Sequence, residues 1–360
     1  MRTRHRPLGR QLRIALITIA ALVLAGCSTL PATTLDTYGD QARRIYDLLI
    51  PIAWMALAVF IVVEGILLYT VIRYRRRPDS GIPAQVHGNT RVEIMWTIAP
   101  ALIVLVIAVL TFRTQAENAV MPADALKVTA VGHQWWFEFK YPGEAADGGD
   151  LITASDMYIP VGRSVTVQLE AKDVMHNFWV PKLAGKTYMI PGKTNYITFM
   201  AEQPGIYRAV CAEFCGEAHA LMRFRVIALD PAEYERWLEQ RRAPPAAATG
   251  DPARGEAIFL DARKQCISCH AVDGTAARGN IGPNLSYYGS RLTIGAGILP
   301  YSTENLDLWL REAYHLKPGN LMSRVISQQW IAANLTDQEI ADLVAYLDSM
   351  KMSVALPPAR

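Results

Sequence analysis

Apolar and polar positions change their pattern several times along this chain. An arginine-rich start (Arg2, Arg4, Arg6, Arg10, Arg13) runs into an apolar stretch over Ile14–Ala25. A positive region, then an apolar run, then small residues is the layout of an export signal, and residues 1–26 read as one. After a polar segment at 27–47 come two longer apolar runs, Leu48–Ile72 and Ile94–Phe112. Each is long enough to cross a bilayer, so the pattern predicts transmembrane helices at 48–72 and 94–112. The loop between them, 73–93, opens on Arg73-Tyr74-Arg75-Arg76-Arg77. Basic residues beside a span mark the cytoplasmic side, so the N-terminus and everything after Phe112 are expected outside. Glu64 is the one charge within the first run and is assigned no role.

From residue 113 the period shortens. Lys127–Gly132, Ser164–Leu169, Asn195–Met200 and Met222–Ile227 read as short strands with Pro and Gly between them. An all-β sandwich or barrel is predicted at 113–229. Residues 230–250 read as a helix followed by a Pro/Ala-rich linker from Arg241 to Gly250 that has no core to bury. The pattern then turns helical. Gly255–Phe259 begins a first helix, and the capping box Thr336-Asp-Gln-Glu339 opens an amphipathic one at Ile340–Met350. This gives an all-α domain at 251–354 and a tail at 355–360. The fold class is multidomain: a two-helix transmembrane hairpin, an all-β domain and an all-α domain.

Composition agrees with this division. A chain of 360 residues accommodates two or three compact units, and 51% hydrophobic residues suit membrane segments beside soluble ones. A net charge of +3 gives no case for nucleic acid. The five cysteines are Cys27, Cys211, Cys215, Cys266 and Cys269, and each falls in a candidate motif.

Most of the chemistry is concentrated in Cys211-Ala-Glu-Phe-Cys215-Gly-Glu-Ala-His219-Ala-Leu-Met222. Thiolate, thioether and imidazole together favour copper over harder metals. A mononuclear blue-copper site uses two His, one Cys and a weak axial Met. The second Cys lets two sulfurs be shared between two metal ions, so a dinuclear copper site is predicted. It needs another His, and His176 in Asp173-Val-Met-His176 is the candidate. A Cys211–Cys215 disulfide is the alternative for an exported chain, but it explains neither His219 nor Met222. Farther on, Cys266-Ile-Ser-Cys269-His270 has the C-x-x-C-H form that attaches c-type haem. Both thiols would bond the vinyl groups and His270 the iron. A lone C-x-x-C also serves as a redox dithiol or half a zinc site.

The Cys211–Met222 segment resembles, without a gap, the pattern C-x-E-x-C-G-x-x-H-x-x-M of cytochrome c oxidase subunit II. The resemblance implies a cupredoxin Greek-key fold and a copper A centre held by His176, Cys211, Cys215, His219, Met222 and the backbone carbonyl of Glu213. It also implies that the Glu213 carboxylate helps hold a magnesium ion at the interface with subunit I, where the plain alternative is a surface acid. Gly132-His133-Gln134-Trp135-Trp136-Phe137-Glu138-Phe139 is similar to the family's aromatic cluster, which makes Trp135 the point where electrons enter. Arg91-Val-Glu93-Ile-Met-Trp96-Thr-Ile-Ala-Pro100 resembles the stretch whose Glu sits at the mouth of a proton channel, and Glu93 matches it. Leu24-Ala25-Gly26-Cys27 resembles a lipobox, with Cys27 as the lipidated residue. Gly282-Pro283-Asn-Leu285 and Lys317-Pro318-Gly319-Asn320-Leu321-Met322 are similar to the haem-packing and axial-Met loops of class I cytochromes c. Met322 is then the second iron ligand, ahead of His315, Met350 and Met352.

Taken together, the resemblance is to subunit II of a caa-type haem-copper oxidase with cytochrome c fused at its C-terminus. It implies cytochrome-c oxidase activity in which oxygen reduction belongs to subunit I, and proton pumping mainly to that partner. Implied partners are subunits I and III, membrane lipid, and a cytochrome bc complex or another cytochrome c as donor. The implied location is a bacterial inner membrane, with the domains on the periplasmic face. Two other readings stand beside it: the copper A subunit of a nitric oxide reductase, and a stand-alone membrane-anchored electron carrier. A quinol oxidase subunit would lack the copper ligands that are present here.

Overall fold

The computed structural model describes residues 14–15, 17–18, 32–76, 81, 85, 87–325, 330 and 334–360. Cys27 and most of the export-signal run lie outside the described residues.

Two long helices come first. Helix α1 spans Asp40–Arg73, 34 residues, and α2 spans Thr90–Asn118, 29 residues. At 1.5 Å per residue α1 is roughly 50 Å long, well beyond a hydrocarbon core of about 30 Å. It starts eight residues ahead of the span expected at Leu48, and the extra turns have a visible function. Asp40 Oδ1 accepts a hydrogen bond from the Met200 amide at 2.7 Å. Gln41 donates to the Thr198 carbonyl at 3.1 Å and accepts from the Gly185 amide at 2.9 Å. The first turn of α1 is therefore fastened to the β domain. Arg44 Nε reaches Asn118 Oδ1 at 2.6 Å and joins this end of α1 to the far end of α2. Most apolar side chains in the middle of both helices point outward, Phe60 and Leu105 among them. A helix that is apolar all round is built for lipid or for a partner helix.

The β domain is two five-stranded sheets packed face to face. Its strands are β1 (Leu126–His133), β2 (Trp136–Tyr141), β3 (Leu151–Ala154), β4 (Asp156–Pro160), β5 (Val165–Ala171), β6 (His176–Trp179), β7 (Lys186–Met189), β8 (Asn195–Phe199), β9 (Gly205–Cys211) and β10 (Arg223–Leu229). One sheet runs β3-β2-β1-β5-β8 and the other β4-β10-β9-β6-β7. Alternation sets which face is inside. In β2, Phe137, Phe139 and Tyr141 are buried while Trp136, Glu138 and Lys140 are partly exposed. Phe137 packs on Phe224 at 4.4 Å between centroids, so it is a core residue. The four strands expected from the sequence are β1, β5, β8 and β10, with ends shifted by one or two residues.

Helix α3 (Pro231–Arg242) lies on the sandwich and buries Tyr234, Trp237 and Leu238. The C-terminal domain packs α4 (Asp251–Leu260) across α8 (Asp337–Ser349), with α5 (Cys266–Cys269), α6 (Thr303–Leu316), α7 (Leu321–Val325) and a small ribbon of β11 (Thr293–Ile294) and β12 (Leu299–Pro300) around them. Gly255 lets α4 and α8 cross closely, since a Cβ there would lie 1.9 Å from the Asp342 carbonyl oxygen. The capping box is formed as expected: Thr336 Oγ1 accepts from the Glu339 amide and the Glu339 carboxylate accepts from the Thr336 amide.

The linker differs from the expectation of a loose tether. Arg241 is buried, donates to the Ile152 carbonyl at 2.8 Å, and lies over the Tyr287 ring of the haem-type domain. Tyr287 Oη in turn donates to the carbonyls of Gln240 and Ala243. The tail returns to the β domain, where Ile206 and Ala359 form a parallel bridge. The all-α domain is thus held against the β domain at both ends of its chain.

Candidate copper and haem sites

The two sulfurs of the Cys-rich segment come from the end of β9 and the loop that follows it. Cys211 Sγ and Cys215 Sγ lie 3.8 Å apart, so they are not a disulfide. Around them the other donors fall into place. His176 Nδ1, at the start of β6, is 3.9 Å from Cys211 Sγ, and His219 Nδ1 is 3.5 Å from Cys215 Sγ. Met222 Sδ lies 3.8 Å from Cys215 Sγ, and the Glu213 carbonyl oxygen 3.3 Å from Cys211 Sγ. Each thiol therefore has one imidazole and one weak donor within reach. The ligand atoms of His176, Cys211 and Cys215 lie within 4.8 Å of one another, close enough to share metal ions. This soft S/N donor set fits a copper pair.

The surroundings prepare these donors. The Cys215 thiol hydrogen-bonds to Cys211 and pushes the Cys211 acidity to about 3, while Cys215 itself is raised. His176 Nε2 contacts Asp173 Oδ1 at 2.8 Å. A carboxylate only accepts, so Nε2 carries the proton and Nδ1 presents its lone pair to the sulfurs. Burial opposes charge on both Asp173 and His176; for His176 the Asp173 and Cys211 hydrogen bonds together overcome it and raise the pKa, and for Asp173 the bonds from His176, Gln134 and Val174 together overcome it and lower the pKa. Asp173 also accepts from the Gln134 amide at 2.7 Å. The sequence reading passed over Asp173, although its spacing three residues before His176 was a usable signal.

The second site is a cavity of about 540 Å³ inside the C-terminal domain. It is lined by Cys266, Cys269, His270, Met322 and apolar side chains including Leu306, Trp309, Leu343 and Leu347. That size and lining suit a flat apolar cofactor. His270 Nδ1 lies 2.8 Å from the Pro283 carbonyl, which only accepts. Nδ1 therefore holds the proton and Nε2 keeps its lone pair. Burial lowers the His270 pKa, which keeps the ring neutral as an iron ligand must be. Burial raises both thiols, Cys266 to about 11. Among the other candidates, Met350 is a core residue and His315 is an exposed partner of Glu312, and neither lines the cavity.

The cavity wall is completed by the other domain. His133, Gln134, Trp135 and Trp136 of the β domain line it. Trp135 is 4% exposed, and its Nε1 donates to the Cys215 carbonyl at 3.0 Å. Gln134 Nε2 donates to the same oxygen at 2.7 Å. On the opposite side, Lys317 Nζ donates to the Trp135 carbonyl at 2.6 Å. Trp135 thus touches the backbone of the thiol loop and the loop that carries Met322. Glu93 stands apart, at the start of α2, where Oε1 accepts from the Asn89 amide at 3.3 Å.

Comparison with known proteins agrees with this geometry. The family description "Cytochrome C oxidase subunit II, transmembrane domain" matches residues 39–114, and the corresponding periplasmic domain matches 126–229. "Cytochrome c" matches 252–351. Cytochrome c oxidase subunit 2 of Alkalihalophilus pseudofirmus is 38% identical, over 93% of this chain and 96% of that protein. The protein of the same name from Bacillus sp. strain PS3 is 35% identical, over 94% and 97%. Quinol oxidase subunit 2 of Bacillus subtilis is 33% identical but covers 64% of this chain and 73% of that protein. Both of these cytochrome c oxidase subunits extend across nearly the whole chain, and the quinol oxidase subunit does not. With two apolar helices, a copper-type β-sandwich and a haem-type cytochrome c domain in one polypeptide, this chain belongs to the cytochrome c oxidase subunit II family.

Proposed function

We propose that this chain relays electrons from its own haem domain, by way of Trp135, to a copper pair and onward to the oxygen-reducing subunit I. When bound, the haem and the copper pair supply reversible one-electron chemistry. Cys266 and Cys269 would hold the haem covalently, with His270 and Met322 on its iron. His176, Cys211, Cys215, His219, Met222 and the Glu213 carbonyl would hold the copper pair. The observation that carries this reading is the position of Trp135. Its indole N–H is bonded to Cys215, its carbonyl is bonded to the Met322-bearing loop, and the residue lines the haem cavity.

What the side chains do follows from their placement. Asp173 orients His176, and Pro283 orients His270. Trp135 excludes water between the two sites and gives a continuous path of bonded atoms. Because the haem domain covers Trp135, a soluble donor reaches the copper site through that domain and not past it. The first turn of α1 is fastened to the β domain, which supports placing both on the outer face, with Arg73, Arg75 and Arg76 on the inner one. Cys27 as a lipid anchor, Glu93 at a proton-channel mouth and Glu213 as a magnesium ligand remain part of this reading, on the resemblance of their motifs. Subunit III and an upstream cytochrome bc complex or cytochrome c are its further partners.

The test is turnover by the purified complex that contains this chain. Oxygen uptake driven by a reduced cytochrome c is expected, and Cys215→Ser should stop it while the haem still becomes reduced. Exclusive turnover of nitric oxide would sink the reading.

A further inference from the structure

The segment from Lys317 into the start of α7, where Met322 sits, joins the haem cavity to the copper domain, and its first residue is buried where the two domains meet. Lys317 is 3% exposed. Its Nζ donates to the Trp135 carbonyl at 2.6 Å and to the Gly295 carbonyl at 2.9 Å. One acceptor belongs to the copper domain and the other to the haem domain. Two residues on, Gly319 has φ +76°, and a Cβ there would come within 3.0 Å of Trp135 Cη2 and 2.4 Å of Glu217 Oε2. The loop therefore lies directly on Trp135, in a left-handed turn that glycine accepts most readily.

A buried amine adds little net affinity, because its desolvation offsets its hydrogen bonds. Its effect is on alternatives. Every docked arrangement that moves the Trp135 carbonyl away leaves a buried donor unpaired, and that cost disfavours it. We infer that Lys317 is a positioning residue that selects one docked register of the haem domain on Trp135. This rests on the reading of Trp135 as the electron path. The inference differs from a plain packing role, which methionine, of similar length and apolar, would fill equally well.

The experiment uses the full oxidase complex with Lys317→Met. Haem is reduced by a laser flash, and arrival at copper is followed in the near infrared. The expected result is normal haem and copper spectra, with transfer split from one phase into several and its main phase slower by on the order of ten- to a hundredfold. Hydrogen exchange at residues 134–136 and 316–321 should also be faster. Single-phase transfer at the parental rate, or unchanged exchange, would overturn the inference. If Lys317→Met fails to load haem, Lys317→Leu, which likewise has no donor, carries the same test. Trp135→Phe in the otherwise parental chain separates the two claims. Unchanged transfer there removes the electron path, while exchange still judges Lys317.

Discussion

Asp173 Oδ1 accepts a hydrogen bond from His176 Nε2 at 2.8 Å, and that contact turns Nδ1 of the buried imidazole towards the two sulfurs. The same carboxylate accepts from the Gln134 amide, so it also fixes the β1–β2 turn that carries Trp135. Partners of this kind typically affect metal affinity ten- to a hundredfold. Asp173→Ala should therefore release copper at a chelator concentration lower by about that factor. Titration with a copper chelator, followed by the copper absorption, checks this. An unchanged midpoint would leave Asp173 with no part in holding His176.

Met322 is the one methionine among the described residues that lines the cavity, since Met350 is packed in the domain core. Leucine nearly conserves its volume, and such swaps usually cost under about 1.5 kcal/mol. Met322→Leu should keep the fold and the covalent haem but lose the sulfur-to-iron charge-transfer band. A retained band would place the ligand elsewhere.

Glu93 has one observed contact and one proposed role, and a pair of variants tests the second beside the first. Its carboxylate bonds the Asn89 amide at the start of α2. Glutamine keeps that capping bond and removes the charge; alanine removes both, at a helix cost of about 1 kcal/mol. Proton uptake should slow in Glu93→Gln and Glu93→Ala alike, with both metal spectra intact. Normal uptake in both would reduce Glu93 to a helix cap.

Lys317 also sets a pH dependence. Burial lowers its pKa from 10.5 to about 7, with Cys215 favouring the charge and Arg223 opposing it, while the Glu217 carboxylate lies beside Gly319. Between those two values the undocked or unfolded chain binds the proton that the docked one has given up. Docking should therefore strengthen as pH rises from about 7 towards 10.5, and show no such slope below about 7. The melting temperature of the haem domain should rise over that window, and Lys317→Met should flatten the rise. An equal slope in both proteins would contradict this.

The sites were legible in the sequence because their ligands are local. Cys211 to Met222 lie on one loop, and Cys266 to His270 on one turn, so spacing alone exposes them. His176 sits on another strand of the same sheet, so no spacing exposes it; it is a candidate because the donor set needs a second imidazole. The strands were legible where alternation reflects one buried face, as along β5 and at the starts of β1 and β10, and elsewhere as short apolar runs between Pro and Gly. What could not be read depends on the domains meeting. Arg241 looked like the start of a free linker and is buried under Tyr287. Lys317 falls in the loop expected to carry the axial Met, and its burial against the Trp135 carbonyl has no local signal. The extra turns of α1 are polar by sequence and gain their purpose from Met200 and Thr198 on another element. None of these has a local pattern.

The central claim is that Trp135 joins the haem cavity to the thiol loop. The most direct measurement is the rate of haem-to-copper transfer after a flash in the intact complex, compared between the parent chain and Trp135→Phe. Phenylalanine keeps an aromatic ring but loses the indole N–H that bonds the Cys215 carbonyl. The account predicts transfer slowed by about tenfold or more with both metal spectra unchanged; transfer at the parental rate would contradict it.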